Sequence, residues 1–540
     1  MDDDAEFWAD QLVGDIRDDR GDTGTYMFNS GMSVSGKMHI GNLRGELVIP
    51  SRVRHILEEE DDADITFRGV YYTQDRFKAK RSQLEQFDDP EEAAQYEGRR
   101  LIDVPDPQGC HDSWVEHFNA ANAPFLPEFG IDVEPLTTTE FYRMDAAKEV
   151  VRLFLQNRER VRDVMNRFRD RNPYPEDWIP FDPLCTECSR IDTTTAVEVD
   201  VDAWEVRYEC DGCGASGWSG MEKGKLAWRL EWAALWEVLD VDFEPYGKDH
   251  ATPGGSRDSC VALAEEFDLN YPTGFSFNWV YLKDGDDVRE MTSSGDVGIT
   301  AEEYLEFAAP EVLAFLYLSN RPMTEIYFSP AEMPTHYRRF DRAERVYFGE
   351  EDMDDEKRAM NLERTYELAM QDAPDRKPVR VPFDHAAFVA QTVPPDAWEQ
   401  DGIATLQETG HIPADIGDED TGRVLQRLEH ARRWADLHAP DEYVYEFNET
   451  VPAAVEDRLS PEQVDAMHEL REMLRSTGYT GSEELEDDLF DLARDADVDV
   501  GEFFSAAYLC LLSREEGPRL ADFILTRGQD EVLNVLETLE

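Results

Sequence analysis

Four of the seven cysteines form two closely spaced pairs, CTEC and CDGC. Cys185 and Cys188 make the first pair and Cys210 and Cys213 the second, with 21 residues between the pairs. Four thiolates at this spacing can hold one tetrahedral Zn²⁺, and such a closed site is structural rather than catalytic. The alternatives are four free structural cysteines or an iron–sulfur cluster, although the spacing differs from that of ferredoxins. We predict a zinc ribbon over residues 181–218.

A second candidate for chemistry is the glycine- and serine-rich stretch SGMSVSGKMHIGN at residues 30–42. It lies between a predicted strand and a predicted helix, where free backbone amides and the helix dipole attract an anion. His39 and Asn42 are three residues apart, so they share a helix face and can both donate hydrogen bonds to a phosphate. The stretch matches neither a Walker loop nor the dinucleotide fingerprint. The alternative is a structural turn before a buried helix.

The elements around this stretch form a strand–helix–strand unit. Residues 25–29 are predicted to form a short buried strand, the segment after Asn42 a helix, and ADITFRGVYYTQ the next strand. This order implies a parallel sheet. Residues 145–171 are predicted to form one long, locally basic helical segment, and the pattern from about residue 301 onward is mostly helical. The sequence therefore predicts an α/β domain followed by an all-α region.

The chain is strongly acidic, and its acidic residues are spread along the whole length. It has 53 basic and 119 acidic residues, a net charge of −66, and only 10 lysines against 43 arginines. The 41% of apolar residues suffices for hydrophobic cores, which argues against a disordered chain. In roughly molar salt the Debye length is about 3 Å, so the self-repulsion is screened. We expect a protein of a salt-loving cytoplasm that unfolds at low salt.

The sequence carries no sign of a membrane or secreted protein. No run of about 18 apolar residues is present, so no transmembrane helix is expected. The start, MDDDAEFWAD, lacks the basic and apolar regions of a secretory signal. An odd number of cysteines without such a signal argues against a disulfide framework. We expect a soluble cytoplasmic protein.

Three segments, in this order along the chain, resemble one known family. HIGN at residues 39–42 resembles the HIGH signature of class I aminoacyl-tRNA synthetases, and REMTSSGDVGIT at 289–300 stands where their second signature, KMSKS, is expected. Between them, EWAALWEVLDVDFEPYGKDHATPGGS resembles the amino-acid and adenosine loop of the family. With the cysteine pairs and the helical C-terminal half, these segments resemble the archaeal-type class I lysyl-tRNA synthetases over nearly the whole chain.

The resemblance implies an architecture. Residues 1–300 would form a Rossmann-like α/β catalytic domain, with an insertion at about 85–225 that carries the zinc ribbon. Residues 301–400 would form a helical domain that contacts the tRNA stem. Residues 401–540 would form an α-helical anticodon-binding domain.

The resemblance also implies a reaction and the residues that perform it. Lysine and ATP, with Mg²⁺, would give lysyl-adenylate and pyrophosphate, and the lysyl group would pass to tRNA(Lys). The catalytic residues would be His39, Asn42, Ser293 and Ser294. The ATP-binding residues would be Ser35, Gly36, His39, Gly41, Asn42, Met291, Thr292, Ser293 and Ser294. The amino-acid-binding residues would be Gly31, Ser33, Trp232, Asp249, His250 and Phe277.

The chain departs from the family pattern around the substrate. Glu290 and Ser293 fill positions of the second signature that usually hold lysines, which neutralise pyrophosphate in the family. Phe277 stands where a tyrosine is expected beside the substrate. Glu231 and Asp75 are candidates for the acid that binds the lysine ammonium, with a surface or helix role as the alternative.

Two clusters of the C-terminal half are candidates for tRNA contacts. Arginines can bind phosphates, and aromatic side chains can stack on unpaired bases. The candidates are Arg338, Arg339, Arg342 and Arg345 in the first cluster, and Arg427, Arg432, Arg433 and Trp434 in the second. The alternative is that the arginines form ion pairs on helix surfaces.

Taken together, the resemblance predicts a lysine–tRNA ligase whose partners are tRNA(Lys), lysine and ATP, and a monomer is favoured. One alternative is a class I synthetase for another amino acid, such as glutamate. A second alternative is a synthetase-like paralogue that binds RNA without catalysis.

Overall fold

A computed structural model describes residues 7–21, 24–169, 171–292, 297–496 and 498–539. The chain divides into two compact units. The first unit runs to Tyr304 and also includes Leu313–Phe328 and Glu367–Gln371. The second unit comprises Leu305–Val312, Ser329–Tyr366 and the chain from Asp372 onward. Two segments that follow residue 304 in the chain thus belong to the first unit.

A parallel sheet lies at the centre of the first unit. Its strands Thr25–Met32, Asp64–Tyr71 and Glu134–Thr137 pair in parallel, with Asp64–Tyr71 in the middle. Most residues of the first two strands are buried or half-buried, as expected for parallel strands that are covered on both faces. The predicted parallel sheet is confirmed.

The sheet continues past Thr25–Met32 on its other side. Single parallel bridges join Phe28 to Phe243 and Phe243 to Thr273, and Tyr246–Gly247 then pairs with Ser276–Phe277 in parallel. The first strand therefore has Asp64–Tyr71 on one side and, through the bridge to Phe243, the segment that leads into Tyr246–Gly247 on the other. This reversal of strand order is the feature that places ligand sites in Rossmann-type folds.

The helix after the first strand has an irregular start. Ile40–Leu43 is α-helical, Arg44–Val48 is a π-helical turn, and Ile49–Asp61 is α-helical again. Gly45 in the π turn packs against the Phe277 ring so closely that a Cβ atom would lie 2.2 Å from a ring carbon. A π turn inside a helix frequently marks a functional site.

A buried arginine fixes this helix to the segment at 278–324. Arg44 donates hydrogen bonds to the main-chain carbonyl oxygens of Arg321 at 2.9 Å and Thr324 at 2.7 Å. The Tyr317 hydroxyl donates to the carbonyl oxygen of Ile40 at 2.7 Å. These bonds satisfy buried polar groups, and they hold the start of the helix in one position.

The predicted single helix over residues 145–171 is wrong. Two helices, Asp145–Gln156 and Arg158–Asn166, occupy this segment. Asn157 separates them because its backbone leaves the helical region, with φ −110° and ψ 28°. The buried faces of these helices pack in the core with residues of Trp228–Leu239.

The cysteine pairs lie beside a small antiparallel sheet. Its strands are Thr194–Asp200, Glu205–Cys210 and Ser216–Gly220, with Glu205–Cys210 in the middle. The first pair precedes this sheet in the chain, and in the second pair Cys210 ends the middle strand and Cys213 lies in the turn before Ser216–Gly220.

In its described residues, the second unit is almost entirely helical, so the predicted helical C-terminal part is confirmed. The second arginine cluster partly belongs to its core. Arg427 is buried and pairs with Asp341 at 2.8 and 2.9 Å, and the indole of buried Trp434 donates to the carbonyl oxygen of Pro330. The interpretation of these two residues as RNA contacts is wrong, because both side chains are occupied inside the protein.

The helices and strands have the following bounds. The strands are Thr25–Met32, Asp64–Tyr71, Glu134–Thr137, Phe181–Asp182, Thr194–Asp200, Glu205–Cys210, Ser216–Gly220, Lys225–Leu226, Tyr246–Gly247, Ser276–Phe277, Val280–Asp284, Asp287–Glu290 and Ile326–Phe328. The α-helices up to residue 370 are Trp8–Arg20, Ile40–Leu43, Ile49–Asp61, Arg81–Leu84, Pro90–Ala93, Trp114–Asn122, Thr138–Phe141, Asp145–Gln156, Arg158–Asn166, Trp228–Leu239, Ser256–Phe267, Ala301–Phe307, Pro310–Leu318, Met333–Tyr347 and Glu356–Met370. The later α-helices are Phe383–Thr392, Ile403–Glu408, Asp418–Leu437, Ala453–Glu456, Pro461–Ser476, Ser482–Asp495, Val500–Leu512, Leu520–Arg527 and Gln529–Leu536. Among the residues that the structure describes, no helix combines the length and apolarity needed to cross a membrane.

Candidate active site

A cavity of about 490 Å³ opens at the carboxyl ends of the parallel strands. We call it the larger cavity. Gly31 and Tyr72 line it at the ends of the first two strands, and Gly247 and Phe277 line it at the ends of Tyr246–Gly247 and Ser276–Phe277. Ligands of doubly wound sheets bind at this edge, where the strand order reverses. The fold therefore places a small-molecule site here.

Aromatic rings form one wall of the larger cavity. Trp228 stacks on Trp232 with ring centroids 5.7 Å apart, and each indole lies 5.4 Å from the His250 ring. Burial lowers the pKa of His250, which favours its neutral form. Aromatic faces attract cations as well as apolar chains, so this wall suits a ligand with an aliphatic stem and a cationic end.

Glu244 lies below this wall and is fully hydrogen-bonded. Its carboxylate accepts bonds from the indole nitrogens of Trp232 and Trp236 and from the Asn29 amide at 2.6 Å. Burial raises the pKa of Glu244, and the indole and amide donors oppose that shift. This carboxylate orients the tryptophans, and its hydrogen-bonding capacity is already used.

A second group of charges lines the same cavity. The Lys225 ammonium forms ion pairs with Asp75 and with Glu231, at 3.1 Å to the latter, and the Tyr142 hydroxyl donates to Glu231 at 2.6 Å. Lys225 and Glu231 are buried, and the two carboxylates raise the pKa of Lys225. Glu231 is therefore a buried helix residue, Asp75 is exposed, and both candidate acids are already paired with a lysine of the chain.

One carboxylate of the larger cavity has no such partner. Glu46 lies in the π turn after HIGN and lines the cavity. Within the described part of the chain, no hydrogen bond or ion pair engages its carboxylate, and burial raises its pKa to about 8. Glu46 is half-buried, and a partly desolvated acid without a partner is costly unless a ligand completes it. The sequence analysis did not identify Glu46. The available signal was a single acidic residue within the mostly apolar segment LRGELVIP that follows HIGN.

A smaller cleft of about 170 Å³ brings the two signature segments together. Ser35, Gly36 and His39 line it from the first segment, and Thr292 lines it from the second. The backbone amide of Ile40 donates to the carbonyl oxygen of Ile299 at 2.8 Å, and this bond joins the segments. We call this site the smaller cleft.

The histidine of the smaller cleft is buried and neutral. Burial lowers the pKa of His39 to about 4, and its Nδ1 atom has no hydrogen-bond partner among the described residues. The Asn42 side-chain oxygen accepts a bond from the His39 backbone amide at 3.2 Å. Gly41 leaves room for the ring, because a Cβ there would lie 2.9 Å from Nδ1. The loop therefore presents a fixed, uncharged imidazole.

A lysine that sequence reasoning missed also lines the smaller cleft. The Lys37 side chain is exposed there, and it forms no ion pair within the described part of the chain. Glu303 lies on the same cleft. Lys37 is one of only 10 lysines in the sequence, and its position two residues before HIGN was the available signal.

The four paired cysteines converge on one point. The Sγ atoms of Cys185 and Cys213 lie 3.7 Å apart, as do those of Cys188 and Cys210, and all four Sγ atoms lie within 4.8 Å of one another. A tetrahedron with bonds of about 2.3 Å from Zn²⁺ to sulfur has edges of about 3.8 Å. The four thiols therefore fit a tetrahedral Zn²⁺ ion.

A second cluster of metal-ligating side chains lies in the insertion, and sequence reasoning missed it. Asp106, Cys110, His111 and His117 place one ligand atom each within 4.8 Å of the others. The Cys110 sulfur lies 3.1 Å from His111 Nδ1 and 3.5 Å from His117 Nδ1, and the Asp106 oxygens lie 3.1 and 3.2 Å from the same two nitrogens. Zn²⁺ accepts this donor set. The local signal was the spacing DxxxCHxxxxxH.

Comparison with known proteins places the chain in a family. A family model for class I tRNA synthetases (K) matches residues 6–372. The chain belongs to the class I lysyl-tRNA synthetase family. The lysine–tRNA ligase of Aeropyrum pernix is 38% identical over 96% of this chain and 95% of its own length. The lysine–tRNA ligases of Haloarcula marismortui and Pyrococcus horikoshii are 34% and 32% identical, over 98% of this chain and 96% and 99% of their own lengths.

A solved structure of a glutamate tRNA ligase from Elizabethkingia meningosepticum is also similar. It covers 95% of this chain and 100% of its own, with a TM-score of 0.41 and 13% sequence identity. This likeness is too distant to bear on the substrate. The predicted family, the ligase activity and lysine as its amino acid are confirmed by the family match and by the full-length relatives.

The structure of this synthetase sorts the predicted site residues into three groups. Gly31, Trp232, His250 and Phe277 line the larger cavity, and Ser35, Gly36, His39 and Thr292 line the smaller cleft. Gly41 and Asn42 contact His39 without lining either site, Met291 is buried, and Ser33 and Asp249 are exposed outside both. Ser293 and Ser294 lie outside the described residues.

Proposed function

We propose that this synthetase binds lysine in the larger cavity, forms lysyl-adenylate with ATP held at the smaller cleft, and transfers the lysyl group to tRNA(Lys). One segment of chain, residues 31–46, supplies Gly31 and Glu46 to the larger cavity and Ser35 to His39 to the smaller cleft. The observation that carries the proposal is the unpaired Glu46 carboxylate inside an aromatic cavity.

Lysine fits the larger cavity by charge and by shape. Its aliphatic stem would lie against Trp232 and Phe277, and its ammonium would reach Glu46. Glu244 already accepts hydrogen bonds on both oxygens, and Asp75 and Glu231 share the ammonium of Lys225. A hydrogen bond between charged groups is stronger than one between neutral groups. Glu46 is therefore the carboxylate of the cavity that selects a cationic side chain.

Activation requires the lysine carboxylate to attack the α-phosphorus of ATP, with pyrophosphate as the leaving group. Little covalent chemistry is asked of the protein, so positioning and electrostatic stabilisation carry the catalysis. The neutral His39 ring and the Ser35 and Thr292 hydroxyls would donate hydrogen bonds to phosphate oxygens. Asn42 would act by holding the His39 backbone, and Ser293 and Ser294 would contribute further hydroxyls.

Positive charge at the smaller cleft would come from two sources. Mg²⁺, which accompanies ATP, supplies charge neutralisation when bound. Lys37 would supply an ammonium from the first signature segment, and it would compensate for Glu290 and Ser293, which occupy the lysine positions of the second signature.

The two side-chain clusters in the insertion would each hold a structural Zn²⁺. The four thiols of the cysteine cluster and the mixed donors around Asp106 both fit the ion, as their distances show. Metal analysis of the purified protein should give about two zinc ions per chain. Cys185→Ser should lower that number by one and leave the second ion in place. A zinc content below one per chain would contradict both assignments.

The second unit would bind the tRNA. We propose that residues 301–400 contact the stem and residues 401–540 the anticodon, and that the protein acts as a cytoplasmic monomer. Arg339 is exposed on helix Met333–Tyr347 and remains available to phosphates. Arg338 is also exposed but lies 3.7 Å from Asp384, and Arg342 and Arg345 both pair with Glu351.

The net charge of −66 bears on the salt concentration at which the protein folds and functions. We propose that folding requires roughly molar salt, because the Debye length of about 3 Å there screens the acidic surface. Dialysis to low salt should abolish the far-ultraviolet circular dichroism of the helices. An unchanged spectrum would contradict this requirement.

The function is tested by aminoacylation of total tRNA with each amino acid in about 3 M KCl, the regime in which the surface is screened. Charging with lysine alone is expected. Charging with glutamate would favour the synthetase for another amino acid. Binding of tRNA without charging of any amino acid would favour the RNA-binding paralogue.

A further inference from the structure

A third cluster of metal-ligating side chains lies in the second unit, on the wall of a cavity of about 620 Å³. Its members are His385 on helix Phe383–Thr392, His411 in the loop after Ile403–Glu408, and Asp522 on helix Leu520–Arg527. One ligand atom of each lies within 4.8 Å of the others. Two imidazoles and one carboxylate are a donor set that divalent transition-metal ions accept.

A hydrogen bond orients the ring of His411. The Thr409 hydroxyl donates to the carbonyl oxygen of Thr405 at 2.8 Å, so it can only accept from the Nδ1 atom of His411, which lies 3.2 Å away. Nδ1 therefore carries the proton and Nε2 carries the lone pair. Metal-ligating histidines have such a partner on the ring nitrogen that does not bind the ion.

The lone pair of His411 faces a carboxylate. Its Nε2 atom lies 3.8 Å from Oδ2 of Asp522, and burial lowers the pKa of His411, although Asp522 opposes that shift. The other oxygen, Oδ1, accepts a hydrogen bond from Ser482 and lies 4.0 Å from Arg519. Two electron-rich atoms thus face each other with no proton between them. A metal ion with bonds of about 2.0–2.1 Å to each atom can span this distance.

The second imidazole also presents an unused nitrogen. His385 is 8% exposed, and its Nε2 atom has no hydrogen-bond partner among the described residues. Burial lowers the pKa of His385 to about 3, so the ring is neutral, the form that binds a metal ion. A buried ring nitrogen without a partner costs stability, and a bound ion would remove that cost.

The two imidazole rings are stacked, with centroids 3.6 Å apart and planes 5° from parallel. The lone pairs of the ring nitrogens lie in the ring planes, so one ring must tilt before both nitrogens reach the same ion. His411 is half-buried in a loop beside the cavity, so its ring has space to tilt, whereas His385 is held on a helix. Metal binding should therefore open the stack.

Carboxylates give the cavity a negative potential that attracts a cation. Those that line it besides Asp522 are Asp384, Glu442, Glu515 and Glu516. Arg514 and Arg519 also line it, but Arg514 donates to main-chain carbonyl oxygens, and Arg519 pairs with Glu486 at 2.7 Å. The surroundings therefore favour a cation over an anion.

We propose that His385 Nε2, His411 Nε2 and Asp522 Oδ2 bind one divalent transition-metal ion of the Zn²⁺ type. Imidazole ligands favour such an ion over Mg²⁺ and Ca²⁺, which take oxygen ligands. None of the three ligands belongs to the clusters of the insertion or to the proposed active site. The ion links two helices and a loop that are distant in the chain. With three protein ligands and a side open to the cavity, it is held less tightly than the two ions of the insertion and is lost on dialysis.

The test is a titration of the full-length protein with Co²⁺ in about 3 M KCl, where the acidic surface is screened. Dialysis against a chelator first leaves only the zinc of the insertion. One further equivalent of Co²⁺ should then bind and absorb in the visible range, without the near-ultraviolet charge-transfer band that thiolate ligands cause. Zn²⁺ should displace this ion, and an equal concentration of Ca²⁺ should not.

Two variants remove one ligand each, His411→Ala and Asp522→Asn. Loss of a hydrogen-bond partner behind a ligand lowers metal affinity about 10–100-fold. Loss of a ligand should therefore weaken Co²⁺ binding at least about 100-fold, and Thr409→Val, which removes the acceptor for His411 Nδ1, about tenfold. His468→Ala is the control, because His468 lies on helix Pro461–Ser476 of the same unit and does not line the cavity. It should bind Co²⁺ like the wild type.

Four results would overturn the proposal. The wild type binds no further equivalent of Co²⁺, the ligand variants bind it as tightly as His468→Ala, the bound ion shows the thiolate band, or Ca²⁺ displaces it. The third result would place the ion in the insertion, and the fourth would assign it to the exposed carboxylates. If His411→Ala loses its circular dichroism, Asp522→Asn decides alone, because it keeps the size of the side chain and an acceptor for Ser482.

Discussion

In the larger cavity, three of the four carboxylates lie beside partners of the protein and Glu46 does not, whereas the smaller cleft is formed mainly by neutral groups. Lys225 pairs with both Asp75 and Glu231, and Glu244 accepts bonds from two indoles. The smaller cleft has an uncharged histidine, hydroxyls and one exposed lysine. On the proposed function, the protein would carry the charge that selects an amino acid within its own structure, and it would rely largely on bound cations at the phosphates of ATP.

The difference has a physical reason. A lysine ammonium is one localised charge, so a single acid in the cavity can be set in advance to receive it. The charge on ATP moves from the α-phosphate to pyrophosphate during the reaction, and donors fixed where charge develops lower the barrier.

The most damaging change should be Lys225→Met. It leaves Asp75 and Glu231 as neighbouring carboxylates without a counter-ion, one of them buried. Removal of one partner of a buried pair costs about 3–5 kcal/mol, so thermal unfolding should occur well below the wild-type temperature. Lys223→Met, at an exposed position two residues away, is the matched control and should unfold like the wild type. Equal stability of both variants would show that the deep charges do not depend on Lys225.

His39→Ala should be the largest purely catalytic defect. The loss of one fixed donor at a developing charge lowers kcat by about 100-fold, and the KM for lysine should not change because the larger cavity is intact. Lysine-dependent ATP–pyrophosphate exchange, measured with and without tRNA, gives both quantities. His55→Ala, in the following helix outside both sites, serves as the control. A higher KM for lysine would mean that the two regions are not separate.

The KM for lysine should depend on pH through Glu46. Burial raises the pKa of Glu46 to about 8 in the empty cavity, so the carboxyl is mostly protonated below that pH and ionised above it. Lysine binding must then release a proton, and the KM should rise about tenfold for each pH unit below 8 and level off above it. Glu46→Gln should show a flat profile over the same range. A sloping profile in that variant would assign the titration to another group.

Lys37→Met should have the smallest effect of these changes. An exposed ammonium contributes about 0–1 kcal/mol to an ion pair, so the KM for ATP and for pyrophosphate should rise a few-fold at moderate salt and less in molar salt. Lys37→Arg keeps the charge and should restore both values. If neither KM value changes in Lys37→Met, Lys37 does not contribute to phosphate binding.

The sequence predicted those parts of the site whose residues lie close together in the chain. HIGN and the two cysteine pairs are short patterns whose spacing determines their geometry. Trp232 and His250 were found through the motif that contains them. The residues of the cluster around Asp106 are also close together in sequence. They were not predicted because the ligands are aspartate, cysteine and histidine side chains, and not paired cysteines.

Other features depend on tertiary contacts and could not be predicted in this way. The roles of Glu46 and Lys225 follow from which carboxylates are already paired, and the sequence does not show that pairing. Arg427 and Trp434 look like RNA-binding residues by type, but the fold buries them. The break at Asn157 depends on a single backbone conformation, whereas the helical pattern continues on both sides of it.

The most direct test of the account is the KM for lysine in tRNA aminoacylation by the wild type and by Glu46→Gln, at high salt and pH 8. A hydrogen bond between charged groups contributes about 1.5–3 kcal/mol, so the wild type should charge tRNA with lysine and the variant should need at least about tenfold more lysine for the same rate. The kcat should stay within about twofold. Equal KM values for lysine in the two proteins would contradict the claim that the larger cavity selects lysine through Glu46.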